Sequence, residues 1–256
     1  VTPIEVEELG KYFPGKEGPV RAVDGLSFSV DSGEIFGLLG ANGAGKTTTL
    51  RIMAGLLTPS FGRAVIYGYD VAARPEEVRA RLGFLATETG LYERLTPWET
   101  LSFFARIFGL SVQEGAQRAE ALLRRLGLWP LRNRRVGTLS VGERQKLSFA
   151  RCLVHDPPLL ILDEPTAGLD VFVARTAVEL ILEAARGGKT VVLSTHDMHL
   201  AERLCERVGI IHRGKLAAVD TPEQLRDELG GEDLGEVFFR AVEREGLSLD
   251  DANSVR

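Results

Sequence analysis

The sequence predicts an α/β fold: a mostly parallel sheet with helices on both faces, an antiparallel β region at the N-terminus and an inserted α-helical subdomain. Three observations predict it. Short apolar runs, IFGLLG (35–40), PLLILDEP (158–165) and TVVLSTHD (190–197), are flanked by helical segments, as strands buried on both faces of a parallel sheet are. Residues 1–36 read as strands and turns, with partial alternation in VRAVDGLSFSV (20–30). From about Thr96 to Val154 the character changes to helical spacing.

The elements follow in order. Thr47 to Leu57 has helical spacing, with Leu50, Met53, Ala54 and Leu57 on one face. RAVIYGYDV (63–71) reads as a short strand pair, and RLGFLAT (81–87) as a buried strand. TPWETLSFFARIFGL (96–110) and VQEGAQRAEALLRRLGL (112–128) read as helices with a Thr-Pro start and glycine stops, and GERQKLSFARCLV (142–154) as a third helix. VGIIHRGKLAAVD (208–220) predicts a hairpin turning at Arg213-Gly214. TPEQLRDELGG and DLGEVFFRAVERE are two short helices, and LSLDDANSVR (247–256) is expected to fray. The expected organisation is one domain over 1–256. Its core is 1–90 with 156–220, its helical subdomain 91–155 and its helical tail 221–256.

Bulk composition narrows the function. The 256 residues carry 44% hydrophobic and 26% charged side chains, enough for a core. Lys+Arg 31 against Asp+Glu 36 leaves a net charge of -5, which disfavours a nucleic-acid partner. The two cysteines, Cys152 and Cys205, fit no C-x-x-C or metal pattern and are expected to be buried reduced thiols. No apolar run approaches the about 20 residues that a membrane helix needs. Val1 to Val6 holds no basic region followed by an apolar block, so no signal peptide is expected there, and a start on Val1 rather than methionine is expected of a processed or trimmed chain.

The chemistry begins at Gly40-Ala41-Asn42-Gly43-Ala44-Gly45-Lys46-Thr47, which fits G-x-x-x-x-G-K-[ST] between a strand and a helix. Glycines let the backbone approach closely, successive N–H groups form an anion nest and the helix start adds its dipole. Lys46 supplies a positive charge to phosphates. The Thr47 hydroxyl suits Mg²⁺, a hard cation that takes oxygen ligands. A P-loop NTPase core of the RecA-like kind is therefore expected. Its second half should be an acidic strand end, which LLILDEP supplies: Asp163 for the Mg²⁺ shell and Glu164 to polarise an attacking water. His196 ends a third strand on the ligand side of such a sheet and is placed to sense the γ-phosphate. A metal site at His196 and His199 is disfavoured, since no further ligands are in view.

TLSVGERQKLSFARCLVHDPPLLILDEPTAGLD (138–170) then carries a specific resemblance to the nucleotide-binding subunits of ATP-binding cassette (ABC) transporters, over about residues 3 to 240. Leu139-Ser140-Val141-Gly142-Glu143 resembles the family signature, usually L-S-G-G-Q; Ala167-Gly168-Leu169-Asp170 resembles its D-loop, and His196 its switch histidine. The resemblance implies ATP as ligand, with Mg²⁺, and a head-to-tail dimer with itself or a sister subunit. One copy's loop (Gly40–Thr48, Thr48 included) would then face the other's Leu139–Glu143 across the nucleotide, with Ser140, Gly142, Glu143 and Asp170 among the nucleotide-binding residues. It implies adenine stacking on Phe13, with Tyr12 as the alternative. The family's metal-touching glutamine is missing after the strand 81–87; Thr87 or Glu88 stands in its place. GLYERLTPWETLSFFARIFGL resembles the helical subdomain of exporters, notably the sodium- and drug-efflux branch, with part of Phe103, Phe104, Ile107 and Phe108 available to receive a permease helix. The implied function is an ATPase at the cytoplasmic face of the membrane that energises an integral membrane permease, most often for export. The alternatives are a soluble ABC ATPase acting on ribosomes or nucleic acid, and a nucleotide-gated module with little hydrolysis.

Overall fold

In the computed structural model, residues 2–16, 18–86, 90–244 and 246 are described. The chain enters through β1 (Ile4–Phe13) and β2 (Val20–Val30), which pair antiparallel, and then crosses to β3 (Ile35–Leu39) and α1 (Lys46–Met53). It returns through β4 (Phe61–Ile66) and β5 (Tyr69–Asp70), which complete a four-stranded antiparallel sheet in the order β2-β1-β4-β5. The short α2 (Pro75–Arg79) leads to β6 (Leu82–Leu85). The helical segment follows as α3 (Pro97–Ile107), α4 (Val112–Arg125) and α5 (Val141–Leu153). The remainder is β7 (Leu159–Asp163), α6 (Val171–Arg186), β8 (Thr190–Thr195), α7 (Met198–Leu204), β9 (Arg207–His212), β10 (Lys215–Asp220), α8 (Pro222–Leu229) and α9 (Leu234–Arg244).

The second sheet has six strands in the order β10-β9-β3-β8-β7-β6. Its neighbours are parallel except β10, which pairs antiparallel with β9 through the turn at Arg213 (φ 49) and Gly214 (φ 78). Period-2 alternation splits the strands between two cores. Phe36, Leu38, Leu159, Ile161 and Val192 face the cluster shared with α1 and the antiparallel sheet. Ile35, Leu39, Leu160, Leu162, Val191 and Leu193 face the cluster shared with α5, α6, α7 and α9. Burial on both faces is why these strands read as unbroken apolar runs.

Two features depart from the expectation. The helix after the glycine loop ends at Met53 rather than Leu57. Gly55, at φ 63, donates to the Ile52 carbonyl (2.9 Å), and Leu56 donates to that of Arg51 (2.9 Å), a left-handed cap that terminates the helix despite continued apolar spacing. The helix α2 arises from a stretch with no clear periodicity and opens on Pro75, with Glu76 and Glu77 in its first turn. The three helices of the inserted segment each begin with a reciprocal capping box: Thr96 with Glu99, Ser111 with Glu114 and Ser140 with Glu143. Both cysteines are buried and free, and burial pushes the Cys205 thiol up to about 12. Among the described residues no helix is long and apolar enough to cross a membrane. The 247–256 segment lies outside the described residues.

Candidate active site

The parallel order β3-β8-β7 places three strand ends side by side. In register, Leu39 lies beside Thr195 and Asp163 beside Ser194. The glycine loop leaves β3, the acidic pair leaves β7 and His196 leaves β8, so residues more than a hundred positions apart meet at one carboxyl edge.

The loop wraps a cleft of about 300 Å³ lined by Ala22, Ala41 to Thr48 and Glu164. Gly45 sits at φ 110, and a Cβ there would run into the Ala22 carbonyl oxygen, so glycine is required. The first turn of α1 has no side-chain cap and no acidic residue, which leaves its amides and the positive end of its dipole for an anion. Lys46 is buried at the start of the same helix. Its Nζ donates to the carbonyls of Gly40 (2.6 Å) and Ala41 (3.3 Å) and lies 3.3 Å from Glu164 Oε1. This cradle fits a polyphosphate.

Opposite the loop, the Thr47 hydroxyl donates to Asp163 Oδ1 (3.0 Å). Two hard oxygen groups are thereby held together, one of them (Thr47) in the cleft lining, a donor set suited to Mg²⁺. Asp163 is 1% exposed, and Ser194 Oγ donates to the same Oδ1 at 2.7 Å. Glu164 turns the chain at φ 49, a left-handed conformation that costs a non-glycine residue about 1 kcal/mol or more. Its amide donates to both the carbonyl (3.2 Å) and the hydroxyl (3.0 Å) of Ser194. Its carboxylate accepts from His196 Nδ1, 3.0 Å from each oxygen. Lys46, Glu164 and His196 thus form one chain of contacts.

The other residues singled out from sequence lie elsewhere. Ser140 Oγ accepts from the Glu143 amide (3.2 Å), and Glu143 Oε2 accepts from the Ser140 amide (2.7 Å), so both cap α5. A Cβ on Gly142 would stand 2.7 Å from Val173 Cγ2, which places the start of α5 against that of α6. Asp170 caps α6 by accepting from the amides of Phe172 (2.9 Å) and Val173 (3.1 Å). None of these four lines the cleft in the same chain. Of the two aromatics, Tyr12 is engaged: its hydroxyl donates to Asp24 (2.9 Å) and its ring meets Phe61 edge-on. Phe13 is 37% exposed at the end of β1, with Lys11 Nζ over its ring, and is outside the cleft lining. Thr87 and Glu88 lie outside the described residues.

Sequence reading missed three participants. Ala22 gave no signal at all. Gln145, whose side chain donates to the Pro165 carbonyl (3.3 Å), ties α5 to the turn after Glu164 but looked like one more surface residue of a helix. Ser194 is one of three hydroxyls in the buried strand β8, with Thr190 and Thr195, and nothing in the sequence set it apart from them.

Residues 23–167 match the family model described as ABC transporter. The chain is 41% identical to the ABC transporter ATP-binding protein NatA of Bacillus subtilis, over 96% of this chain and 100% of that protein. It is 39% identical to the Nod factor export ATP-binding protein I of Burkholderia pseudomallei, over 93% of this chain and 77% of the relative. Among solved structures, an ATP-binding subunit of an ABC transporter superposes with a TM-score of 0.85 at 34% identity, covering 94% of this chain and 100% of the other. A dimeric ATP-binding cassette in a post-hydrolysis state with ADP and Pi superposes at 0.79 with 25% identity, over 85% of this chain and 98% of the other. The cradle for a polyphosphate is therefore one for ATP, and the chain belongs to the ABC transporter family as an ATP-binding subunit and ATPase.

Proposed function

We propose that this subunit hydrolyses Mg²⁺-ATP at the carboxyl edge of β3, β7 and β8 to energise export through an integral membrane permease, from the cytoplasmic face of the membrane. The observation that carries the reading is the contact of Thr47 with Asp163 beside that of Lys46 with Glu164, where Lys46, Thr47 and Glu164 line one cleft. Lys46 and the amides of Gly40 to Thr48 hold the phosphates. Thr47 and Asp163 would hold Mg²⁺, with Thr87 as a further oxygen donor, and the ion would offset the negative charge that builds on the phosphates. Lys46 exchanges its contact with Glu164 for a phosphate oxygen, which leaves the Glu164 carboxylate to take the proton of the attacking water. His196 Nδ1–H keeps that carboxylate oriented and reports on the γ-phosphate. Positioning and fixed charge carry phosphoryl transfer, so little else is asked of the protein.

Ser140, Gly142, Glu143 and Asp170 serve a second copy, or a sister subunit, packed head to tail. Their position outside their own chain's cleft supports this, as does the dimeric state of one solved relative. Phe13 stacks on adenine; its exposure, against the engaged Tyr12, supports the choice. The division into a core (1–90, 156–220), a helical subdomain (91–155) and a tail (221–256) belongs to the same reading. The groove between β6 and the α3–α5 side, lined by Leu56, Phe84, Phe104 and Phe108 together with Arg79 and Arg151, would receive a cytoplasmic helix of the permease. Export is supported by the Nod factor export relative.

The test is to tag the Glu164→Gln form, express it in the native cell and solubilise membranes gently with Mg-ATP. A polytopic membrane protein should co-purify in stoichiometric amount. Recovery only from the soluble fraction, with ribosomal proteins or nucleic acid, would overturn the transporter reading.

A further inference from the structure

Ser194 stands between the two carboxylates to which the proposed reaction assigns the metal and the water. It is fully buried at the end of β8 and is the register partner of Asp163 on β7. Its hydroxyl has one proton and accepting lone pairs. The Glu164 amide can only donate and the Asp163 carboxylate accepts, so the orientation is fixed: Glu164 N–H to Ser194 Oγ at 3.0 Å, and Ser194 O–H to Asp163 Oδ1 at 2.7 Å. The neighbouring hydroxyl does not share this work, because Thr195 Oγ1 accepts from the Asp197 amide (3.0 Å) and so braces the turn that carries His196.

We propose that Ser194 is a positioning residue for ATP hydrolysis, one hydroxyl that sets the Asp163 carboxylate for the metal and the left-handed Glu164 backbone for the water. The geometry gives it two effects at once. On Asp163, it and Thr47 converge on the same oxygen and fix the rotation of a carboxylate that is 1% exposed. On Glu164, it supplies a second acceptor to an amide whose residue sits at φ 49, a conformation that persists only when its surroundings hold it. Without the hydroxyl, Asp163 Oδ1 loses a donor in a buried place, and the Glu164 amide keeps only the longer bond to the Ser194 carbonyl. Ser194 is absent from the cleft lining, so nucleotide affinity should be spared.

The inference rests on the assignment of Asp163 and Glu164 above, and the experiment separates the two. Ser194→Ala, Asp163→Asn and Glu164→Gln are compared with the parent chain for ATP affinity, kcat and melting temperature. Mn²⁺ binding to the nucleotide-loaded protein, followed by electron paramagnetic resonance, adds a readout independent of turnover. For Ser194→Ala the expectation is ATP affinity within about threefold of the parent, kcat lower by about tenfold or more and Mn²⁺ affinity weaker by about fivefold. Ser194→Cys, close in volume but a poor donor, should fall between the two and serves if the alanine form does not fold. A lower melting temperature with kcat and Mn²⁺ affinity at parental values in both variants would overturn the proposal and leave Ser194 as packing. Unimpaired hydrolysis by Asp163→Asn and Glu164→Gln would overturn the site assignment itself.

Discussion

At the scale of single residues, the cleft is held by side chains whose charges answer one another. Lys46 is buried yet spends its donors on two carbonyls and a carboxylate, and Glu164 receives both Lys46 and His196. An incoming phosphate competes for the same ammonium, so ligand entry and release of Glu164 are one event. A histidine outside the site makes a separate prediction. His155 stacks on Phe108 with ring centroids 3.6 Å apart, and its Nε2–H donates to the Leu82 carbonyl at 3.2 Å. Its Nδ1 is buried and has no hydrogen-bond partner among the described residues, so a proton added there would find no acceptor among them. Burial, first, and the nearby Lys189 and Arg118 charges lower its pKa from 6.5 to about 4. Between those values the unfolded chain binds a proton that the folded chain refuses. The contribution of His155 to stability is therefore complete above about 6.5 and is lost as the pH falls toward 4. Denaturant melts across that window should show a shallower acid-side decline for His155→Phe than for the parent. Parallel curves would contradict the assignment.

At the scale of elements, helix starts carry much of the specificity. The capping box at Ser140 and Glu143 closes the first turn of α5, and Ser140→Ala should cost about 1 kcal/mol in a denaturant titration. ATP binding to the cleft of the same chain should be unchanged, since Ser140 does not line it. A large loss of affinity would show that α5 shapes the cleft from within its own chain. Elements with dense local chemistry were legible from the sequence: the glycine loop, the Asp163-Glu164 strand end, the hairpin at Arg213-Gly214 and the Thr-Pro start of α3. Elements decided by tertiary context were not. The end of α1 was hidden because Leu57 continues the apolar spacing while the Gly55 cap overrides it. The five residues of α2 are too few to show a period. Ser194 looked like the polar end of a strand, and only the parallel register beside Asp163 reveals its work.

At the scale of the whole molecule, the parallel sheet brings the loop and the acidic pair to one edge, while Ser140, Gly142 and Glu143 at the start of α5 are not part of the lining of that cleft. The start of α6 exposes large apolar side chains, Val171 at 81% and Phe172 at 84%, beside the Asp170 cap. The proposed head-to-tail pairing would cover this exposed apolar surface, with the nucleotide as the joining piece. Under the proposed role of Glu164, Glu164→Gln should keep that joint closed, because it would bind ATP without consuming it. The most direct measurement is light scattering coupled to size exclusion on this form, with and without Mg-ATP, and with hydrolysis followed in the same samples. The account predicts a monomer without nucleotide and a dimer with it, ATP retained intact, and turnover at least about a hundredfold below the parent chain. A form that stays monomeric with ATP bound and hydrolyses it at the parental rate would contradict both the role of Glu164 and the shared site.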